Sequence, residues 1–377
     1  MRRVKFGDVV KRVNIYVDRF NTDRLYYVGK GGSIEPNALD IKPQAKIKGA
    51  TIGFKFHFGF DPGHVLFMSR CFDQHKAATA TFAGVCSDST YVVETRDENV
   101  LLQRYLQLVM QSDDFWNWCE EHKSGGVNFL INYSTLETYE FTLPSLSEQK
   151  VLADKLWAAY RVKESYKKLL AATDDMLKAK FQEIQNDAYE EKLCKFIEII
   201  RGVSYKPTDI RNEQDDNSSI ILRANNIANG AINFNDIVYV DSDRVKTAQL
   251  LKKDDVLMCA SSGSQEHVGK VALIDRNYKD VSFGAFCMVV RAKEIDPKYL
   301  LSLLMSKAFR THIEMMCNGT NILNVRRDYV EEWICPIASK ELQQQFAEIA
   351  TQTEATKESL RKSIENIDQV IKSLINQ

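Results

Sequence analysis

The stretch that decides the fold is KELQQQFAEIATQTEATKESLRKSIENIDQVIKSLINQ, residues 340–377. Its apolar residues recur at intervals of three and four, which is the period of one face of an α-helix. The line consists of Leu342, Phe346, Ile349, Leu360, Ile364, Ile367, Ile371 and Leu374, with Thr353 and Thr356 at the intervening places. A line kept from one end of the stretch to the other predicts a single long helix with a coiled-coil seam.

A second long helix is predicted from residue 147 to about residue 188. Its apolar residues lie seven or fourteen apart at Leu156, Leu170, Leu177 and Ile184, with a neighbouring heptad line at Val162, Leu169 and Met176. Each helix is long enough to reach roughly 55–60 Å. We expect the two to pair antiparallel within the chain, the first four residues facing Leu360, Ile364, Ile367, Ile371 and Leu374. The alternative is two unrelated amphipathic helices, each lying on its own domain.

Each long helix closes one of two similar halves, offset by roughly 190 residues. Three pairs of segments carry the similarity, in the same order in both halves. They are PGHVLFMSR (62–70) with KDDVLMCAS (253–261), SGGVNFLIN (124–132) with CNGTNILNV (317–325), and TLPSLSEQKVLADKL (142–156) with CPIASKELQQQFAEI (335–349). The chain is therefore predicted to contain one structural unit written twice.

Before each long helix the pattern is that of a mixed α/β body. Short apolar runs between turn residues predict strands at 25–28, 50–58, 65–69 and 89–93, and at 219–223, 237–240, 256–260, 270–274 and 285–290. Helices are predicted at 98–119 and 297–317. The fold class is α+β, in four segments: a first domain at 1–144, the first long helix at 145–190, a second domain at 191–337 and the second long helix at 338–377.

The composition is that of an ordinary globular chain, with 44% hydrophobic residues and a net charge of -1. This charge is less basic than that of most isolated DNA-binding domains. The first 56 residues nevertheless hold twelve Lys and Arg against five Asp and Glu, and a local basic face is sufficient for phosphate contact. No apolar stretch is long enough for a membrane span and the N-terminus does not resemble a secretory signal, so we expect a cytoplasmic protein.

The motifs of common enzymes are missing from the sequence. The eight cysteines are scattered without a C-x-x-C pair, which predicts buried reduced thiols, and the six histidines lack the H-E-x-x-H pattern. The glycine loops at 29–32 and 263–271 lack the spacing of dinucleotide or phosphate-binding motifs. A G-x-S-x-G elbow and a methyltransferase tetrad are also missing. We therefore predict no catalytic residue and no metal site.

The order of these features resembles the specificity subunit of type I restriction-modification systems over essentially the whole chain. The resemblance is carried by VLFMSRCFDQHKAATATFAGVCSDSTYVVE (65–94), IILRANNIANGAI (220–232), LKKDDVLMCASSGSQEHVGKVALI (251–274) and FGAFCMVVR (283–291), and by Pro144 and Pro336 before the long helices. It implies two target recognition domains separated by two helical spacers.

What the resemblance implies is a subunit that is not itself an enzyme. Such a subunit reads a bipartite double-stranded DNA target, one half-site per domain, and directs methylation subunits, in two copies, and restriction subunits. No cofactor is expected on this chain, because S-adenosylmethionine, ATP and Mg²⁺ belong to the partner subunits. Two readers on a rigid spacer contact half-sites at a fixed separation, so a change of helix length is expected to change the gap.

Candidate DNA contacts in the second domain lie in two loops. The first loop holds Arg223, Asn225 and Asn226, and the second holds Ser261, Ser262, Ser264 and Gln265 ahead of Lys270. Arginine binds guanine and asparagine binds adenine in bidentate fashion, and small donors suit phosphates and base edges. The alternatives are a plain asparagine turn for the first loop and a simple strand connection for the second.

The loop of the first domain that matches this second loop holds Arg70, Gln74, His75 and Lys76. Lys30 is a further candidate for a phosphate contact. Asn128 and Asn321, each downstream of a glycine, are candidates for contact with the DNA backbone or for plain helix-to-strand turns.

Two other functions stay open on the sequence alone. A self-contained methyltransferase or nuclease lacks the required motifs, and binding of S-adenosylmethionine by the isolated chain would revive it. A non-DNA scaffold that holds two protein-binding domains at fixed spacing fits the same repeat. Salt-dependent, sequence-selective DNA binding separates the reader from the scaffold.

Overall fold

The computed structural model describes residues 2–29, 33–70, 72–127, 129–264, 266–317 and 323–376. The chain forms two compact units: Met1–Leu169 together with Leu360–Gln377, and Leu170–Ser359. This division differs from the four consecutive segments expected from the sequence. Each long helix contributes to both units, because the two ends of its apolar line pack into different cores; in the first long helix Leu156 lies in one core and Ile184 in the other.

The first unit contains two five-stranded sheets. Its strands are β1 (Arg2–Lys5), β2 (Val10–Arg12), β3 (Ile15–Tyr16), β4 (Tyr26–Val28), β5 (Asp40–Ile41), β6 (Ala45–Lys46), β7 (Phe56–Phe60), β8 (Val65–Met68), β9 (Ala77–Ala80), β10 (Gly84–Ser87), β11 (Thr90–Thr95) and β12 (Glu140–Leu143). The sheet orders are β3-β7-β10-β4-β6 and β2-β11-β8-β9-β5, and β1 pairs separately with β12. Because β1 and β12 are antiparallel neighbours, they join the beginning of this body to its end.

Helices cover one side of the β8 sheet in the first unit. They are α1 (Phe6–Val9), α2 (Gln103–Gln111), α3 (Asp113–Glu121), α4 (Tyr133–Leu136) and the first part of α5 (Leu146–Gln185). Phe67 of β8, Leu106 of α2, Phe115 of α3 and Leu156 of α5 are fully buried together in the core. The last part of α9 (Lys340–Ile375) packs against the same core through Ile371.

The second unit contains two four-stranded sheets. Its strands are β13 (Tyr189–Lys192), β14 (Ile197–Arg201), β15 (Ile210–Arg211), β16 (Ser218–Leu222), β17 (Ile227–Ala228), β18 (Ala231–Ile232), β19 (Val238–Asp241), β20 (Asp255–Cys259), β21 (Ser261–Ser262), β22 (Val271–Leu273), β23 (Val281–Phe283), β24 (Cys287–Ala292), β25 (Leu323–Asn324) and β26 (Ile334–Ile337). The sheet orders are β14-β24-β20-β22 and β15-β19-β16-β23, with β13-β26, β17-β18 and β21-β25 as separate pairs.

The helices of the second unit follow the same plan. They are α6 (Pro297–Met305), α7 (Lys307–Cys317), α8 (Arg327–Glu331), the later part of α5 and the earlier part of α9. Phe181 and Ile184 of α5 and Phe346 of α9 are buried with Tyr299 of α6. The two long helices also contact each other within each unit. Lys163 pairs with Asp368 in the first unit, and Lys357 lies 2.9 Å from Asp174 in the second.

The helices recur along the chain at a constant interval. The starts of α2 and α6 are residues 103 and 297, and those of α3 and α7, α4 and α8, and α5 and α9 are residues 113 and 307, 133 and 327, and 146 and 340. Every pair is separated by 194 residues, for example 297 minus 103. The first turn of each long helix carries a buried glutamine, Gln149 or Gln343.

These two glutamines make matching hydrogen bonds. Gln149 accepts a bond from the backbone N–H of Leu102 at 2.9 Å and donates to the carbonyls of Val100 and Pro144, both at 3.0 Å. Gln343 accepts from the N–H of Asp296 and donates to the carbonyl of Ala338, both at 2.8 Å. In both halves one side chain therefore fastens the start of the long helix to the start of the preceding helix pair.

The single helices expected at 98–119 and 297–317 are each two helices. Ser112 and Ser306 interrupt them with extended backbone, at ψ 147° and 154°. The Ser112 hydroxyl accepts the N–H of Phe115 at 3.1 Å, and the Ser306 hydroxyl accepts the N–H of Phe309 at 3.2 Å. Apolar periodicity continues across both breaks, so it did not reveal these serine caps.

The strand expected at 50–58 is also shorter than predicted, because strand pairing starts only at Phe56. Gly49 adopts a left-handed conformation at φ 82°, and Phe56 donates its N–H to the carbonyl of Gly53 at 3.1 Å. Residues 50–55 therefore form turns and irregular backbone rather than a strand.

The predicted seam residues face inward on the long helices. Leu156, Ile184 and Leu360 are buried, and the others are half-buried: Leu170, Leu177, Ile364, Ile367, Ile371 and Leu374. On the neighbouring heptad line, Val162 is 43% exposed and Met176 is 52% exposed. Of the two apolar lines on the first long helix, only the one from Leu156 to Ile184 is buried or half-buried, so apolar spacing alone does not identify the buried face.

Candidate nucleic-acid interface

In the first unit three loops meet where β8 ends. Ser69 follows β8, and its carbonyl accepts the N–H of Ile131 at 3.1 Å. The N–H and the hydroxyl of Ser69 both donate to the carbonyl of Ser89, at 3.0 Å and 2.8 Å. These bonds draw together the loop after β8, the turn before β11 and the loop before α4.

The second unit repeats this junction where β20 ends. The carbonyl of Ala260 accepts the N–H of Val325 at 2.7 Å. The N–H groups of Ala260 and Ser261 donate to the carbonyl of Phe286, at 2.8 Å and 3.0 Å. The loop after β20, the turn before β24 and the loop before α8 are therefore joined in the same way as their counterparts in the first unit.

The loop after β8 presents two of its four predicted contacts to solvent. Arg70 and Gln74 are exposed. Lys76 is only 4% exposed, so its ammonium group lies beneath the surface and the expectation of a DNA contact is not supported in this conformation. Lys76 directly precedes β9 (Ala77–Ala80), a mostly buried strand.

His75 has a structural role in the same loop. It adopts a left-handed conformation at φ 51°, and its ring stacks on Trp116 of α3 with centroids 4.7 Å apart. Its Nδ1 lies 3.2 Å from the side-chain oxygen of Asn37. Burial lowers the pKa of His75 below its ordinary value, against the opposing effect of Asp113 and Asp73. Burial therefore favours the neutral form of the ring, which braces the loop through its stacking on Trp116.

The loop after β20 is supported from beneath by Arg310 of α7. Its guanidinium donates to the carbonyl of Val268 and, at 2.7 Å, to the carbonyl of Glu266. The predicted contacts Ser261, Ser262, Ser264 and Lys270 are partly exposed around this loop. Ser261 and Ser262 also pair with β25. The structure thus gathers these four side chains on one braced loop.

The loop after β16 adjoins the same junction, because the N–H of Gly284 donates to the carbonyl of Leu222 at 2.9 Å. Asn226 is completely buried there, and its amide donates to the carbonyls of Asn233 and Asn235, at 2.8 Å and 2.7 Å. Its side-chain oxygen accepts the N–H of Arg223 at 2.8 Å. Asn226 therefore holds its own loop together through its side chain, without the left-handed backbone of an asparagine turn, and has no exposed surface for DNA.

The two neighbouring predictions, Arg223 and Asn225, share an acidic partner. Arg223 lies 2.9 Å from the carboxylate of Asp236, and Asn225 donates to that carboxylate at 2.7 Å. Asp236 is itself exposed. Both side chains lie at the surface, but a DNA contact there requires exchange of the Asp236 carboxylate for a base or a phosphate.

The remaining predicted contacts are Lys30, Asn128, Gln265 and Asn321, which lie outside the described residues. The structure adds two residues that the sequence analysis did not select. Phe286 is 70% exposed at the turn before β24. Arg12, at the end of β2, lies beside the loop before α4 in the first unit. An aromatic residue in the short turn after Gly284 could have been selected from the sequence as a candidate contact, and this residue is Phe286. No local sequence pattern marks Arg12.

The cysteines follow the expectation with one exception. Of those in the described ranges, all are unpaired and buried except Cys194, which is exposed. Burial raises the pKa of the Cys119 and Cys287 thiols, as expected for unreactive core residues.

Within the described ranges no group of three or more His, Cys, Asp and Glu side chains is arranged to hold a metal ion. None of the helices described here combines the length and apolar character needed to cross a membrane.

The architecture is shared with solved subunits of type I restriction-modification systems. The S subunit from M. genitalium superposes with a TM-score of 0.59 at 12% identity, over 99% of this chain and 94% of that chain. A chain from a study of complex assembly and conformational transition of the type I R-M system gives 0.56 at 13% identity, over 99% and 96%. At these identities the likeness establishes the fold class.

Sequence similarity to known proteins is found over the second half of the chain and in partial matches to two curated relatives. Residues 192–369 match the family described as the type I restriction modification DNA specificity domain. The type I restriction enzyme StySPI specificity subunit of Salmonella potsdam is 35% identical over 175 residues, and the EcoKI specificity subunit of Escherichia coli strain K12 is 33% identical over 178 residues. Each match covers 46% of this chain and 38% of the relative. The predicted resemblance to type I specificity subunits is confirmed.

Proposed function

We propose that the chain is the sequence-reading, non-catalytic subunit of a type I restriction-modification complex. Each unit reads one half-site of a bipartite double-stranded DNA target, in the cytoplasm. The observation that carries the proposal is the repeated junction, in which three loops meet beside the same strand in both units. A fold used twice with different loop residues suits two different half-sites.

The contacts proposed for the second half-site are those on the braced loop. Ser261, Ser262 and Ser264 offer hydroxyl donors, and Lys270 offers a positive charge for a phosphate. Phe286 adds an exposed ring for apolar contact. In the first unit we propose Arg70 and Gln74 as the equivalent polar contacts. Contacts to the phosphates of the DNA set the position of the protein along the duplex, whereas contacts to base edges discriminate between sequences.

Catalysis belongs to partner subunits in this proposal. Two methylation subunits supply adenine methylation with S-adenosylmethionine, and restriction subunits use ATP and Mg²⁺. Support comes from the family of residues 192–369 and from the names of the matched relatives. The competing function, a scaffold for two protein partners, uses the same fold but requires no affinity for DNA.

The test is to express the chain with its presumed methylation subunit in a host that lacks DNA methylation, and to map modified bases by long-read sequencing. We expect a gapped, two-part motif containing methylated adenine, lost when this chain is omitted. A soluble, associated pair of proteins that methylates nothing would favour the scaffold. Binding of the pair to duplex DNA at two salt concentrations provides an independent check, since phosphate contacts make affinity fall steeply with salt.

A further inference from the structure

Arg12 occupies an unusual position at the junction of the first unit. It is the last residue of β2 and pairs with Val93 of β11. Its guanidinium carbon lies 4.7 Å from the ring centre of Tyr91, 5.3 Å from that of Phe58 and 5.7 Å from that of Tyr133. Three aromatic rings from three different segments therefore surround one half-buried cation.

These rings are themselves held by the junction. The hydroxyl of Tyr91 donates to the carbonyl of Ile131 at 2.9 Å, and the N–H of Ile131 donates to Ser69, the residue before Arg70. Tyr133 packs edge-on against Tyr91 at 5.5 Å. Arg12 is consequently fixed relative to the loops that carry the proposed contacts of the first unit.

The guanidinium N–H groups of Arg12 make no side-chain hydrogen bond or ion pair within the described part of the chain. By contrast, Arg223 and Arg291 both have carboxylate partners. Ring faces restrict the orientation of the guanidinium plane and strip water from it. The in-plane N–H donors then suit a ligand with two acceptors in one plane.

We propose that Arg12 is a specificity-determining residue that reads a guanine of the first half-site through O6 and N7. The inference rests on the proposed function. Guanine presents two adjacent acceptors in the major groove, and an arginine fork matches both. A phosphate is also a bidentate acceptor, but a phosphate contact does not require the plane of the guanidinium to be fixed by three rings.

The test uses the full chain in complex with its methylation subunit and a library of duplexes with randomised bases. The selected motif is compared for the wild type, Arg12→Lys, Arg12→Met and the control Arg104→Met. Lysine keeps the charge over the rings but lacks the fork, and methionine keeps part of the packing. Arg104 is 54% exposed on α2 and pairs with Asp154 at 2.8 Å, so its loss removes an equal charge away from the junction.

We expect both Arg12 variants to lose preference for guanine at one position of one half-site, by about 5- to 150-fold. The other half-site and the Arg104→Met motif stay unchanged. An equal loss of affinity for all sequences, with a shallower salt dependence, would assign Arg12 to a phosphate and overturn the inference. An unchanged motif with a lowered melting temperature would make Arg12 a purely structural residue. If the wild-type complex selects no sequence, the proposed function itself fails and this inference with it.

Discussion

The two units stabilise the same strand pair with opposite chemistry. In the second unit Asp255 and Arg291 face each other across β20 and β24, joined by bonds of 2.7 Å and 2.8 Å, with Asp255 only 1% exposed. In the first unit the residues beside the matching pair Val65 and Val93 are His64 and Glu94, 3.4 Å apart. The acidic residue has changed strands. Both units therefore have a polar cross-strand contact at this place, and the acidic partner lies on β11 in the first unit and on β20 in the second.

The loop braces differ in the same manner. Trp116 stacks on His75 in the first unit, and Arg310, 194 residues later, binds loop carbonyls in the second. One position on equivalent helices thus supports its loop by an aromatic face in one unit and by hydrogen bonds in the other. The loops carry the proposed DNA contacts, and the residues that support them differ between the two units. The capping serines and the buried glutamines are the same in both units.

Breaking the buried ion pair should produce the largest difference between the units. Asp255→Ala leaves the charge of Arg291 without its partner, and we expect the second unit to lose about 3–5 kcal/mol of unfolding free energy. Glu94→Ala, the matched change in a more exposed pair, should cost less than about 1 kcal/mol. Hydrogen exchange in increasing urea, followed on peptides of each unit, measures both. Equal losses would show that the different burial of the two pairs has no energetic consequence.

The buried glutamines should behave alike in the two units. Gln149→Ala leaves three backbone groups without their side-chain partner and Gln343→Ala leaves two, at about 1–3 kcal/mol per group, so we expect each change to cost at least about 2 kcal/mol. The same exchange measurement applies. Gln352→Ala, on an exposed position of α9, is the control and should be neutral. A large effect in one unit alone would mean that only one half relies on this fastening.

Removing the brace of the second loop should reduce DNA affinity more than stability. Arg310→Met deletes the hydrogen bonds to Glu266 and Val268, and we expect about tenfold weaker binding of the mapped target, equivalent to ~1.4 kcal/mol. Fluorescence anisotropy with a labelled duplex measures this. Lys307→Met removes a charge from an exposed position of the same helix. Similar losses from both variants would attribute the effect to charge rather than to bracing.

The smallest expected effect concerns the turn before β24. Phe286 stands where the first unit has Ser89, since both carbonyls accept the strand-end N–H groups. Phe286→Ser should change stability by less than about 0.5 kcal/mol, because the ring is exposed. It should weaken target binding by about fivefold if the ring packs on DNA, equivalent to ~1 kcal/mol of apolar contact. Unaltered affinity in a binding titration would remove Phe286 from the interface.

Regular periodicity made the long helices predictable from the sequence. The expected start at residue 340 agrees with α9, and the first long helix begins one residue from its predicted start. Their seams were visible because burial along a helix repeats with the helical period. The breaks at Ser112 and Ser306 were hidden, because a single capping side chain interrupts the backbone without interrupting the apolar pattern.

The site was less predictable than the fold. Loop composition pointed to Arg70, Gln74 and the serines after β20, but it could not distinguish Asn226, whose amide is consumed by its own turn, from exposed Asn225. Lys76 was selected because it lies in the loop after β8, although it directly precedes β9 and its side chain is buried. Arg12 was missed because its surroundings come from Phe58, Tyr91 and Tyr133, which are distant in sequence. Such a setting exists only after the sheets have formed.

The first unit incorporates Leu360–Gln377, and this affects when it can be completed during synthesis. Asn376 bonds to Asp113 at the start of α3, through contacts of 2.8 Å and 3.0 Å. A ribosome that has finished Leu169 must still translate Leu170–Ser359 before that last segment emerges. At 5–20 residues per second this takes roughly 10–40 s. For that interval the nascent N-terminal body lacks the apolar contacts that Ile371 and Ile375 make with its core in the finished unit.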